Sequence, residues 1–256
     1  MFLNKKQCAA ALCLSGLSSV SFHSNAEVLD SKTSFNLGYI HEFSSRSEDS
    51  GKYSLPIFSI VNKTTTDWGG FSIGGQIDNL FQVADDLEGE PGNQSFKAFS
   101  TVNYNLGDSG FKLWYENFAV GSLSMFEMTN YLGVTYAKSF GDLKTATSVG
   151  ANYVFGHAGT ASNQIQGFNS MAAKFTMSYP INDKLSLSML FESHINRTDE
   201  YRDVFNYDDF GYKLNLGMNY HITDNSILTI QYADRTSWAG YNEGGDSLRF
   251  YWSFGF

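Results

Sequence analysis

The last ten residues, Ser247–Phe256, read S-L-R-F-Y-W-S-F-G-F. In an extended chain Leu248, Phe250, Trp252, Phe254 and Phe256 share one face, and Ser247, Arg249, Tyr251, Ser253 and Gly255 share the other. A water-soluble strand has no use for an exposed row of large aromatics. A strand with lipid outside and water inside requires one, and a terminal Phe closes it. The pattern restricts the chain to a β-barrel that ends within a bacterial outer membrane, with Phe250, Trp252, Phe254 and Phe256 as the expected signal to the outer-membrane assembly machinery.

The amino end agrees. Lys5 and Lys6 precede a short apolar run, Ala9–Leu17, followed by Ser24-Asn25-Ala26 before Glu27. This is the pattern of a secretory signal with a small-x-small cleavage site. The run is shorter than the roughly 18 to 20 residues of a spanning helix. Residues 1–26 are therefore read as a signal peptide and 27–256 as one barrel domain. Cys8 and Cys13 both fall within the signal, so the mature chain has neither a disulfide framework nor cysteine ligands for a metal. Cleavage removes Lys5 and Lys6 from 17 basic residues and none of the 26 acids, leaving a formal charge of −11 that disfavours nucleic acid as a partner.

Three prolines, 24 glycines and 16% aromatics describe strands and turns better than helices. Alternation at period two predicts twelve strands, at 33–43, 53–63, 68–82, 95–105, 111–119, 130–140, 143–156, 168–180, 184–196, 209–222, 226–235 and 247–256. Most match the roughly 9 to 11 residues of a tilted spanning strand. Pro56 predicts a distortion or bulge in the second, since proline lacks a ladder donor.

The connections Thr64–Asp67, Leu106–Gly110, Gly141-Asp142, Ile181–Asp183 and Thr223–Asn225 are short, and the other six are longer. Short turns at one end and long loops at the other describe an all-β, transmembrane antiparallel up-and-down barrel with both termini in the periplasm. A soluble barrel would bury its apolar faces inside. The polar faces here hold too many ionisable groups for a dry core.

In the tenth strand Phe210, Tyr212, Leu214, Leu216, Met218, Tyr220 and Ile222 oppose Gly211, Lys213, Asn215, Gly217, Asn219 and His221. Extending that assignment around the barrel places Lys97, Lys112, Lys144, Lys174, Lys213, Arg235 and Arg249 in the lumen with Glu42, Asp78, Glu116 and Glu192. The loop acids Glu48, Asp49, Asp85, Asp86, Glu88, Glu90, Asp199, Glu200 and Asp203 read as a solvated surface beside lipid and lipopolysaccharide. Twelve strands enclose a bore narrower than a general porin's, suited to small solutes. Phe99, Trp114 and Tyr251 are predicted to point inward beside Lys97, Glu116 and Arg249, a lining able to stack a flat ring.

Trp68-Gly69-Gly70-Phe71, Gly75-Gln76-Ile77-Asp78-Asn79-Leu80-Phe81 and Ala84-Asp85 resemble the third-strand region of the Tsx and OmpK nucleoside-specific channel-forming family. The resemblance continues in Gly110–Phe118, in Gly167-Phe168 and in Tyr179-Pro180, and covers roughly residues 65–180. The chain departs from the family's usual pattern at Phe99-Ser100-Thr101-Val102 and at its C-terminal Trp252–Phe256. The resemblance implies a monomeric twelve-stranded barrel passing nucleosides, in a family some of whose members serve phages or colicins as receptors. The substrate-facing residues are then expected to be Asp78, Lys97, Phe99, Lys112, Trp114, Glu116, Lys213, Arg249 and Tyr251, with Asp78, Lys112, Trp114 and Glu116 carried over from the family.

Two other readings stand beside the channel. One is a plugged barrel acting through its loops as an adhesin or receptor. The other is a barrel enzyme, for which the mature chain offers His41, His157, His194 and His221 as bases but no Gly-x-Ser-x-Gly or His-Glu-x-x-His motif. No cofactor and no metal site is expected.

Overall fold

Alternating apolar and polar residues leave one face of every strand unable to meet water, and a sheet closed on itself is the arrangement that pairs every backbone group while turning that face outward. The computed structural model describes residues 27–45, 54–78, 95–121, 125–158, 164–195, 197–199, 202, 208–236 and 245–256. Its strands are β1 (Val28–Ser45), β2 (Ser54–Thr66), β3 (Gly69–Asp78), β4 (Ser95–Asn105), β5 (Phe111–Gly121) and β6 (Met125–Phe140), then β7 (Leu143–Ala158), β8 (Gln164–Pro180), β9 (Leu185–Ile195), β10 (Gly211–Thr223), β11 (Ser226–Thr236) and β12 (Gly245–Gly255). Each pairs antiparallel with its sequence neighbours, and β1 pairs with β12 to close a twelve-stranded barrel. The ladder runs to the last residue, where Phe256 N–H donates to Thr33 O at 3.0 Å and Thr33 N–H to Phe256 O at 3.1 Å.

The five short turns fall where the alternation breaks. One of three two-residue turns, Gly141-Asp142 between the paired Phe140 and Leu143, places Gly141 at φ +59°. That left-handed conformation is what a two-residue hairpin demands of its first residue and what a side chain resists. Two predicted connections are shorter than expected: only residues 159–163 separate β7 from β8, where alternation alone leaves eleven, and the β5–β6 connection shrinks likewise. The β5–β6 ladder continues to Gly121↔Phe126, so only residues 122–124 separate strands that alternation alone leaves ten residues apart. Backbone pairing carries these strands past the point where their side chains stop alternating. The predicted segment 79–82 and most of the loop acids lie outside the described residues, while Asp199 is exposed and ion-paired with Arg202.

The distortion expected at Pro56 is absent. Pro56 faces Tyr39 in unbroken register, and the ladder to β3 begins one residue later at Ile57↔Asp78. The proline lies where pairing on that side has ended, so its missing donor interrupts nothing. The bulges of β1 fall instead between Val28 and Asp30 and between Glu42 and Ser44.

The outer surface is apolar, as the alternation requires. Leu216, Met218, Tyr220, Leu228, Ile230, Phe250 and Trp252 are all exposed. Toward the short-turn end, stacked or tilted pairs Trp68–Tyr104, Phe111–Tyr136, Phe35–Phe256 and Trp252–Phe254 form an aromatic girdle. Trp252 Nε1–H donates to Ser226 Oγ at 2.9 Å, the apolar-body, polar-tip placement that a membrane interface favours. Toward the long-loop end, Phe191 stacks on Tyr212, whose hydroxyl donates to Asp234 Oδ2 at 2.8 Å.

Candidate functional site: two walls of one lumen

The register places all nine expected substrate-facing residues on lumenal positions, along two unlike stretches of wall. The first stretch runs from β12 through β1, β2 and β3 to β4. Tyr251 is the register partner of Gly38, and Phe99 of Gly74. A Cβ on Gly38 would stand 2.6 Å from Tyr251 Cδ1, and one on Gly74 would stand 2.5 Å from Phe99 Cζ. Each ring therefore lies across its glycine, against the backbone, because nothing larger fits beneath it.

Between the two rings runs a polar row. Asn36 Nδ2–H donates to Ser59 Oγ at 2.8 Å, Ser59 faces Gln76, and Gln76 faces Lys97. Arg249 Nε–H donates to Ser247 Oγ at 3.2 Å. Asp78 occupies the register position opposite Ile57, in the row that also holds Gly38 and Tyr251.

The second stretch, β5 to β10, is packed. Register partners Trp114, Gly133, Gly150, Ala172 and His194 form one row, with three small residues between the two rings. A Cβ on Gly133 would meet Val149 O at 2.2 Å and the Gly150 Cα at 2.7 Å. The wall is creased there, and large side chains fold into the crease. Trp114 stacks on Tyr131 at 5.7 Å and lies under Lys174 Nζ at 5.2 Å from the ring centroid. Its indole N–H donates to Glu116 Oε2 at 3.3 Å, the oxygen that also receives Lys174 Nζ at 3.0 Å. Lys213 closes a second ion pair with Glu192 Oε2 at 3.0 Å.

Strands β5 and β8 are three apart, as are β6 and β9. The Glu116–Lys174 and Tyr131–His194 contacts are therefore chords through the interior rather than bonds along the wall.

Above that layer Ser170, Asn152 and His194 meet. Asn152 Oδ1 accepts from the Ser170 backbone N–H at 2.8 Å and from Ser170 Oγ at 2.9 Å. Its Nδ2 then points to His194 Nδ1 at 3.2 Å as donor, which fixes Nδ1 as the acceptor. The remaining hydrogen sits on Nε2, facing the Tyr131 hydroxyl at 3.1 Å. A Ser, His and Asn together have the composition of a nucleophilic triad, and the Ser170 oxygen is 3.2 Å from His194 Nδ1. The arrangement differs from one: Ser170 and Asn152 both address the same imidazole nitrogen, and they are 0% and 1% exposed, closed to any substrate. This group fastens β6, β7, β8 and β9 to one another.

The expected aromatics thus divide. Phe99 and Tyr251 are laid out on the wall. Trp114 is 4% exposed, with a stacking partner and a cation already in place, so it builds the wall rather than presenting a ring to the bore. Lys174, Glu116, Glu192 and Lys213 come together as pairs, while Lys112 lies two residues from Trp114 on the same face, toward the short-turn end. Tyr131, Asn152 and Ser170 are absent from the expected site, although Thr129, Tyr131 and Thr135 alternating against Leu132, Val134 and Tyr136 already marks Tyr131 as lumenal.

A closed twelve-stranded antiparallel barrel, greasy outside and polar within, defines an outer-membrane channel of the porin class. The chain belongs to the family of the nucleoside-specific channel-forming protein Tsx, whose model matches residues 66–254. Among solved structures it resembles the NanC porin, at 12% identity and TM-score 0.57 over 86% of this chain and 98% of that one. It also resembles the COG4313 outer membrane channel from Pseudomonas putida F1, at 13% identity and TM-score 0.53 over 93% and 100%. A third likeness is to the KdgM porin in complex with disordered oligogalacturonate, at 10% identity and TM-score 0.52 over 86% and 99%. These likenesses are of fold. No curated protein matches the sequence.

Proposed function

We propose that this outer-membrane channel passes nucleosides, with Phe99 and Tyr251 as weak stacking sites along the route. The observation that carries the reading is the pair of rings lying across Gly74 and Gly38, on the stretch of wall away from the packed cluster. A ring held flat against the backbone offers a π-face to the bore, and every base has a π-face to match it. Asn36, Ser59 and Gln76 between the rings supply donors and acceptors for a ribose. Two shallow sites suit a channel better than one deep one, because the solute must also leave.

Residues 1–26 as a signal peptide and the Phe256-ended strand as the assembly signal complete the reading. It has the short turns and both termini in the periplasm, the loops among lipopolysaccharide, and a single barrel as the working unit.

The test is single-channel recording from the refolded mature protein in planar bilayers. Adenosine is expected to reduce the current saturably, and Phe99→Ala or Tyr251→Ala to weaken that block roughly tenfold, as loss of ~1–3 kcal/mol of stacking requires. Trp114→Ala is expected to act differently, raising conductance by emptying part of the crease. Conductance indifferent to adenosine would refute the nucleoside reading and leave a channel for another solute. A silent bilayer would favour the plugged receptor, to which the two interior chords would then contribute.

A further inference from the structure

Among the described strand residues the carboxylates follow one rule with two exceptions. Asp30, Glu42, Asp78, Glu116, Glu127 and Glu192 take lumenal register positions. Asp234 of β11 and Asp246 of β12 take outward ones, on the face that carries Tyr232 and Leu248. The two exceptions are also register partners. Like charges directly opposite one another on one face destabilise a sheet.

Tyrosine hydroxyls relieve them only in part. Tyr212 donates to Asp234 Oδ2 at 2.8 Å, and Tyr232 is hydrogen-bonded to Asp246. A hydroxyl is a neutral donor and leaves both charges in place. The ion pairs among the described residues, Lys174–Glu116, Arg202–Asp199 and Lys213–Glu192, bring no cation to Asp234.

An apolar groove of about 420 Å³ runs up to the pair on the outer wall. One side is the register row from Met177 through Leu216 to Leu248, and the other runs from Leu187 through Met218 to Ile230. It crosses β8 to β12, four interstrand steps or ~19 Å. Met177 lies three residues from the short-turn end of β8, and Leu248 three residues from the loop-side start of β12, so the groove climbs toward the loops. Its upper end is at Tyr232 and Leu248, each two residues, about 7 Å, from one of the acids. The acyl chains of one leaflet reach ~15 Å deep, so the groove has room for one chain along its length. Three of its side chains are methionines, which adapt their shape to an apolar guest.

We propose that this sector of the outer wall seats one phospholipid with a primary ammonium headgroup. Its acyl chain fills the groove, and its ammonium lies between Asp234 and Asp246. The charge pattern selects the headgroup: an ammonium neutralises the paired carboxylates and donates to both, whereas a purely anionic headgroup adds to their repulsion. The seat is outside the lumen, so it stands apart from the nucleoside reading, and adenosine block is expected to be the same with and without it.

The test is native mass spectrometry of the refolded mature protein, released from micelles that carry phosphatidylethanolamine or phosphatidylglycerol with identical chains. One phosphatidylethanolamine is expected to be retained at roughly a tenth of the concentration that phosphatidylglycerol needs, in keeping with a charge pair near a wet surface. The double variant Asp234→Asn with Asp246→Asn is expected to remove that difference while its single-channel conductance, which reports folding, stays unchanged. Leu216→Trp, which fills the groove from an exposed position, is expected to weaken retention of both lipids.

Equal retention of the two lipids by the parent protein would overturn the proposal. So would a preference that survives the double variant, or retention that Leu216→Trp leaves untouched. Displacement of the lipid by an equal concentration of chainless glycerophosphoethanolamine would show that the groove holds no chain, and would overturn it too.

Discussion

At the scale of single residues, the glycines opposite the rings matter as much as the rings. A methyl at Gly38 would collide with the edge of Tyr251 at 2.6 Å and crowd the Phe250 carbonyl at 2.9 Å. Gly38→Ala is therefore expected to lift the ring off the wall and weaken adenosine block while the barrel still conducts, measured on the same bilayers. The ion pairs of the packed wall make a different prediction. Glu192 is buried and Lys213 reaches it at 3.0 Å, so Lys213→Gln removes its ion-pair partner and leaves the carboxylate to the neighbouring Lys174 of β8. The expected cost is roughly 1–3 kcal/mol, read as a lowered urea midpoint for unfolding from liposomes. The charges themselves were legible, since alternation assigns all four partners of the two bridges to the lumen. Who pairs with whom was not, because Glu116 and Lys174 are 58 residues apart and meet only where the barrel's curvature brings β5 and β8 face to face.

At the scale of elements, period two is a strong signal for which way a residue faces and a weak one for where a strand stops. Lipid contact requires the apolar face only across the membrane, whereas backbone pairing continues beyond it. This is why β1 begins at Val28 rather than 33, and β6 at Met125 rather than 130. The crease formed by β6 and β7 was invisible for a related reason. A glycine in a strand reads as a weak residue, and nothing in Gly133 or Gly150 alone says that they lie face to face beneath Trp114. Gly133→Ala would drive a Cβ to 2.2 Å from the Val149 carbonyl, a backbone atom that cannot step aside. It is expected to prevent assembly of the heat-resistant folded form on gels. Gly141→Ala meets no atom within 4 Å and carries only the left-handed φ, about 1–2 kcal/mol. It is expected to assemble with reduced stability.

At the scale of the whole molecule, the barrel has two chemically distinct ends and two distinct walls. If the short turns lie in the periplasm, the Asp142→Cys variant in otherwise intact cells should resist a membrane-impermeant maleimide, and react once the outer membrane is permeabilised. Immediate labelling would invert the orientation. The absence of other cysteines from residues 27–256 makes the experiment clean. The number of strands and the outward face were readable from one sequence, because lipid imposes the same rule on every strand; connection length was not, since the β5–β6 and β7–β8 connections are no longer than the 106–110 turn. The division of the lumen into a filled side and an open side was not, since it depends on which large inward residues find a hollow: Trp114 does, and Phe99 and Tyr251 lie flat.

The bond between Phe256 and Thr33 has a consequence for how such a molecule comes into being. Because β12 closes the seam along β1, a chain that lacks β12 cannot complete the circle. Until synthesis and export have delivered all of it, the growing sheet carries two unsatisfied borders, each able to recruit a stranger. The vulnerable period is therefore the whole transit rather than its beginning. Masking those borders until β12 arrives would remove the hazard.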